Sequence, residues 1–183
     1  MANLIEAIAV LKSPVETLEK LGEKRQLHAL SFLLTIGAIT ALLTPLQISM
    51  GFEDVNGLHA GGQAEYLARD ISVIYNLGNE YHPLLVEAFY VFVLLLSTCY
   101  LHVIFRFAGG NGTISDTFKM IAYGDTPALL FGWVSYFATI AALWAAVIQL
   151  LIGPVVVHKL SWANAIVIFS VLVGIGIIEI AMS

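Results

Sequence analysis

Asp125 is the residue best placed to do chemistry. It sits in Tyr123-Gly124-Asp125-Thr126-Pro127, inside a run from Met120 to Val157 that is otherwise free of Asp, Glu, Lys and Arg. A carboxyl group in so apolar a setting is costly, and such groups often mark ion or proton sites within bilayers. Pro127 removes one backbone donor and disturbs the helical turn before it. Freed carbonyls, the Tyr123 hydroxyl and the Asp125 carboxylate would then meet at one depth, as an ion, proton or substrate site at a broken helix. The plainer reading is a kink whose carboxyl group binds neighbouring helices, since polar side chains also hold membrane helices together. That reading is favoured. Glu87 and His102 are weaker candidates of the same kind, and Gln149 is positioned to bond across a bundle.

A second cluster is Arg106-Phe-Ala-Gly109-Gly110-Asn111-Gly112-Thr113, with Lys119 six residues further on. A glycine-rich loop opening a helix leaves free N–H groups that suit a phosphate or another anion, and two cations beside it suit a lipid headgroup. The plainer reading, again preferred, is a tight turn with Thr113 or Ser115 as helix N-cap.

Catalytic patterns are missing. There is no HExxH, GxSxG, phosphate-binding P-loop or CxxC, so no catalytic residues are assigned and the chain is not expected to be an enzyme. His59, Glu65, Asp70 and His82 fall in one loop at spacings that match no metal-ligand pattern. No metal and no cofactor are expected. Cys99 has no partner in the chain, which excludes an internal disulfide.

These residues need elements to position them, and composition says which. Of 183 residues, 59% are hydrophobic and 11% charged, with a mean hydropathy of +0.88. A soluble domain carries about a quarter charged residues. Too little polar surface remains to coat a globule in water, so the solvent is lipid. A net charge of −5 without a basic stripe excludes nucleic acid as a partner. The expected fold is all-α, a polytopic helix bundle with five transmembrane helices over about 27–49, 84–107, 114–133, 136–157 and 160–182. The third and fourth come from the 38 residues Met120–Val157, too long for one helix, which we divide at a tight turn near Gly132 to Ser135. One helix plus a re-entrant segment, giving four crossings, is the alternative.

Basic residues fix sidedness. With five spans, seven of the eight Lys and Arg fall on one side, and only Arg69 lies opposite. The positive-inside rule then places the N-terminus in the cytoplasm and the C-terminus outside. The first apolar stretch, broken by Glu6, does not resemble a removable signal peptide. Residues 1–26 form a separate unit of two short cytoplasmic amphipathic helices. Leu4, Ile8, Leu11, Val15 and Leu18 make one apolar stripe, and Ser13-Pro14-Val15-Glu16 forms a capping box between the helices. The stripe faces either the inner headgroup plane or the bundle's own ends. Residues 50–83 form a loop containing a short amphipathic helix. Repeated small residues, Ala138, Ala142 and Ala146, and Gly37 with Ala41, suit close helix contacts within the chain or in a homo-oligomer.

His102-x-x-x-Arg106-x-x-Gly109-Gly110-x-Gly112-Thr113, followed by Lys119-x-x-x-Tyr123-x-x-x-Pro127, resembles the Yip family, the Ypt/Rab-interacting integral membrane proteins. Pro14-x-x-Thr17-Leu18-x-x-Leu21, Ile152-Gly153 and His158-Lys159-Leu160-Ser161 extend the resemblance over nearly the whole chain, and the first of these is similar to prokaryotic members. The resemblance implies a five-span domain with a cytoplasmic N-terminus, no catalytic residues, and a plasma membrane setting for a prokaryotic type. Eukaryotic members act in vesicle traffic, bind Rab-type GTPases and help shape membranes. Their long N-terminal region with an Asp-Leu-Tyr-Gly-Pro motif is not matched here, so GTPase recruitment does not carry over. The expected function is a non-enzymatic scaffold or adaptor working on the lipid bilayer and a membrane-protein partner. The alternative is a small ion or solute transporter or channel using Asp125 beside the Pro127 break.

Overall fold

The computed structural model describes residues 2–49, 83–132 and 135–182, which are helical throughout apart from short connections, with no strand among them. Two helices precede the apolar segments: α1 (Ala2–Lys12) and α2 (Pro14–Gly22), divided at Ser13 where Pro14 begins the new helix. Then follow α3 (Gln26–Ser49) and α4 (Pro83–Phe107). The predicted third span is divided into α5 (Ile114–Gly124) and α6 (Thr126–Phe131), and α7 (Ser135–Ala146) follows; residues 133–134 of the expected turn lie outside the described residues. Val147–Ile152 is wound as a π-helix and runs on into α8 (Gly153–Val157). The last helix is α9 (Trp162–Met182). The expected loop helix, with His59, Glu65, Asp70 and His82, lies outside the described residues.

Two helical stretches among the described residues are long and apolar enough to cross a membrane, Tyr90–Phe107 and Thr139–Val157. Gln26–Ile39 and Trp162–Ile175 are apolar but shorter. The 114–133 segment is interrupted at Asp125, for a local reason. Pro127 has no N–H to offer the carbonyl of Tyr123, and the Thr126 hydroxyl donates to that oxygen instead at 2.5 Å.

The core lies where α3, α4 and α5 meet. Phe32, Leu33 and Ile36 of α3, Leu94, Leu101 and Phe105 of α4, and Met120, Ile121 and Tyr123 of α5 are buried together with Ile148. The hairpin formed by α5–α6 and α7–α8 packs closely: a side chain on Gly153 would come within 2.5 Å of Met120. The α9 helix packs mainly on the π-helical segment. Large apolar side chains cover the outside as well, including Phe92, Leu95, Leu96 and Val103 on α4, Ile140 and Leu143 on α7, and Ile166, Val167 and Val171 on α9. Apolar surfaces of that extent are stable against acyl chains and costly in water.

In the N-terminal helices the stripe divides between its two readings. Ala7 and Val10 of α1 and Thr17 and Leu18 of α2 are buried, whereas Leu4, Ile8 and Val15 of the predicted stripe are exposed. The α1 helix turns its smaller residues to α3, α5 and α6, which permits close approach, and leaves its larger ones outward. In α7, Ala141 is buried and Ala142 partly buried.

Candidate functional site

The Asp125 carboxyl group is held by two other elements. The Tyr90 hydroxyl of α4 donates to Asp125 Oδ2, and Gln149 Nε2 donates to Oδ1 at 3.2 Å. Gln149 belongs to the π-helical segment, whose wider turn carries its side chain toward α5, and its amide also lies 3.5 Å from the Ile121 carbonyl. Both carboxyl oxygens are therefore engaged, and α4, α5 and the π-helical segment are tied at one point. Asp125 itself is half-buried.

Tyr123 does not join this cluster. Its ring packs edge-on against Phe32 with centroids 4.8 Å apart, and its hydroxyl is buried without a hydrogen-bond partner among the described residues. The freed carbonyl expected beside it is taken by Thr126. Pro127 is buried two residues beyond Asp125. Glu87 lies on α4, but its side chain is outside the described residues. Tyr90, the missing donor, gave no signal in the sequence, because nothing in a Tyr at that position of an apolar helix points 35 residues ahead.

His102 belongs to a different constellation, near the connection from α4 to α5. Its Nδ1 lies 2.9 Å from the Thr117 hydroxyl, which in turn lies 2.9 Å from His158 Nε2. Thr117 and His158 are fully buried. The second His158 nitrogen, Nδ1, has no hydrogen-bond partner among the described residues and faces Gly112, where an added Cβ would come within 2.7 Å of it. Burial pushes the His158 imidazole down to about 4, with the charges of His102 and Arg106 acting the same way and Asp116 opposing them. His158 is therefore neutral at pH 7.

The glycine loop is built as a turn. Gly109 adopts φ +92°, a conformation that favours glycine. Gly110 N–H returns to the Phe105 carbonyl at 2.8 Å, and Arg106 donates to the Gly110 carbonyl at 3.0 Å. Thr113 caps α5: its hydroxyl accepts from Asp116 N–H, and the Asp116 carboxylate accepts from Thr113 N–H at 2.9 Å. Lys119 is mostly buried and pairs with Asp116 at 3.1 Å. The positive end of α5 and its nearest cation thus already have a carboxylate, one supplied by the chain. Of the two readings of Arg106, Gly109, Gly110, Gly112, Thr113 and Lys119, this geometry fits the capped turn. The same loop is stitched to the last connection, with Asn111 N–H donating to the His158 carbonyl at 2.9 Å and Asn164 Nδ2 to the Ala108 carbonyl at 2.9 Å. Phe107, 90% exposed, and Trp162, 53% exposed, flank it.

At the other polar cluster, Glu6 of α1 accepts from Lys24 at 2.5 Å and lies 2.8 Å from His28 of α3. Burial opposes ionisation of Glu6, but the bonds from Lys24 and His28 outweigh it and hold its carboxyl below the usual range. Asn3 adds a bond to Thr35 at 3.0 Å. The sequence reading missed this clasp because Lys24, in the connection before α3, and His28, on α3, lie 18 and 22 residues from Glu6.

Among the described residues no group of His, Cys, Asp or Glu is arranged to hold a metal ion. Neither a curated protein nor a solved structure matches the chain. The Yip1 domain model matches residues 8–182, nearly all of the chain, including the Asp125 break, the capped glycine loop and the buried histidine. The chain belongs to the Yip1-domain family and is a Yip-like membrane protein.

Proposed function

We propose that the protein is a non-enzymatic membrane scaffold that crosses the bilayer five times and keeps its N-terminal helices against the cytoplasmic leaflet. The observation that carries this reading is the two-sided character of α1. Ala7 and Val10 are buried on the bundle while Leu4, Ile5 and Ile8 remain exposed. A helix apolar on both sides needs acyl chains over its outer face, as interfacial helices do. The clasp from Glu6 to Lys24 and His28 fixes α1 to the start of α3, so the wedge it makes in the leaflet moves with the bundle. Phe107 and Trp162, beside Arg106 and Lys159, supply the aromatic and basic residues expected where a bundle meets the cytoplasmic headgroups.

Asp125 serves this reading as a tie between helices, since both its oxygens accept bonds from within the bundle. The transport alternative has no comparable support. A single cysteine at Ile5 or Ile8, with Cys99 replaced, tests the placement of α1. Protection from a membrane-impermeant maleimide in inside-out vesicles, lost in detergent, is the expected result. Full labelling without detergent would place α1 in water and remove the basis of the proposal. Cysteines at the two termini, labelled from opposite sides of the membrane, check the odd number of crossings.

A further inference from the structure

The protons in the chain His102–Thr117–His158 can be counted. A threonine hydroxyl has one proton to give and two lone pairs to offer. That of Thr117 lies 3.2 Å from the Thr113 carbonyl, which can only accept, and 2.9 Å from each imidazole. Giving its proton to Thr113 leaves both lone pairs for the rings, so His102 donates from Nδ1 and His158 from Nε2. His158 Nδ1 is then a bare acceptor. The opposite arrangement, with Thr117 donating to His158, would put an N–H on Nδ1, which has no partner among the described residues. Orphaned buried N–H groups are rarer than under-used acceptors. Gly112 decides the matter, because the C–H bond that a Cβ would replace points at Nδ1. A C–H there suits a lone pair and repels an N–H.

No space is left for a second proton to find an acceptor. A Cβ on Gly112 would lie 2.7 Å from Nδ1, 2.9 Å from Cε1 and 3.0 Å from Cγ of His158, so no water fits between them. The surrounding charges add to this. On α4, His102 and Arg106 oppose a proton on His158, and on α5 Asp116 favours it. The Asp116 carboxylate is already engaged by Thr113 and Lys119. The α2 helix, packed on α8, carries Glu16, Glu19 and Lys20, all exposed, as is Lys159 beside the ring. The α9 helix has no charged residue before Glu179.

His158 is also a joint. Its carbonyl accepts from Asn111 N–H, and Asn164 reaches the Ala108 carbonyl a few residues on. Between them Lys159 is held at φ +57°, a backbone conformation that side chains other than glycine rarely adopt. Strain of this kind persists only while the surroundings enforce it, and here the glycine loop is part of those surroundings.

We propose that His158 is an acid-sensitive latch: protonation at Nδ1 drives Gly112 off the ring and parts the α8–α9 connection from the glycine loop while the bundle stays folded. The surface flanked by Phe107 and Trp162 then changes with pH. The latch works the same way from either side of a membrane, so it does not depend on the topology proposed above.

Hydrogen exchange of the full chain in nanodiscs, followed by NMR, reads the latch at the Asn111 amide. Opening returns His158 from about 4 to the ordinary histidine value of about 6.5. Linkage then raises the opening constant about 30-fold between about pH 7.5 and about pH 5. Asn111 protection, corrected for intrinsic exchange, should fall by that factor. The Asp125 amide, bonded to the Ile121 carbonyl, should stay better protected at both pH values. Imidazole nitrogen shifts should show the Nε2–H tautomer of His158 at neutral pH. The pH dependence should vanish in His158→Gln and persist in His102→Gln. Constant Asn111 protection, an Nδ1–H tautomer, or equal protection of Asn111 and Asp125 overturns the proposal. So does a pH dependence that survives His158→Gln or disappears in His102→Gln. The tautomer and the parent's exchange need no substitution, which keeps the test decisive should either variant fail to fold.

Discussion

Replacing Asp125 by Leu should destabilise the protein, and replacing its two partners as well should restore it. Asp125→Leu leaves the Tyr90 hydroxyl and the Gln149 amide without their acceptor. Hydrogen bonds between membrane helices measure about 0.6 kcal/mol on average and up to about 1.7, so two of them amount to about 1–3 kcal/mol. A donor left without a partner costs about 1–3 kcal/mol, and removing all the polar partners together is close to neutral. Asp125→Leu should thus lose about 2 kcal/mol, and Tyr90→Phe/Asp125→Leu/Gln149→Leu should lie within about 1 kcal/mol of the parent. Tyr90→Phe and Gln149→Leu alone should each cost about 1 kcal/mol. Equilibrium unfolding by SDS titration in bicelles measures all four. An unchanged Asp125→Leu would show that the tie contributes nothing. A triple variant no better than Asp125→Leu would show that shape, not hydrogen bonding, set the cost.

The other predictions concern packing, capping and pH. Gly153→Ala puts a Cβ 2.5 Å from Met120 Cγ and 2.8 Å from the Ile148 carbonyl; overpacking of that kind costs about 1–3 kcal/mol, and the same titration should show Met120→Ala recovering part of it. Thr113→Ala removes the cap of α5 and should cost about 1 kcal/mol, with faster hydrogen exchange at the Asp116 amide. His158 has its pKa lowered to about 4 by burial, so below the ordinary histidine value of about 6.5 the unfolded chain binds the extra proton and the folded chain does not. Stability should be full above that value and decline as the pH falls toward about 4. Thermal melts from neutral to acidic pH should show this slope flattened in His158→Gln. Glu6→Gln should loosen α1, read as faster proteolysis within residues 1–25, because it removes the charge that Lys24 and His28 share.

What the sequence disclosed follows from how local its signals are. The helical class, the interruption before Pro127 and the Thr113 cap were legible, because apolar runs, a missing N–H and a hydroxyl beside a helix start act over a few residues. Gln149 was suspected of bonding across the bundle from its polarity alone. Its partner was not legible, nor was Tyr90, because hydrogen bonds between helices depend on rotations that a single helix's pattern does not encode. His158 read as a residue of a connection, yet it is buried between α4 and α5 through Thr117. Periodicity shows where the α1 stripe lies and not which side meets protein, so the choice between headgroup plane and bundle was not legible. In lipid both sides can be apolar, and side-chain size decides which one packs.

The π-helical turn at Val147–Ile152 also bears on how the chain can change in length. A wide turn accommodates an extra residue while the turns on either side keep their faces. Deleting one residue there closes it to ordinary α-geometry, with Gly153 still opposite Met120; the same deletion in α4 would rotate everything beyond it by about 100°. Alignment gaps of one residue within a membrane helix are therefore to be sought among relatives at this stretch. A relative with the shorter version would lose the bulge that presents Gln149, and with it the reason to keep an acid at the position of Asp125.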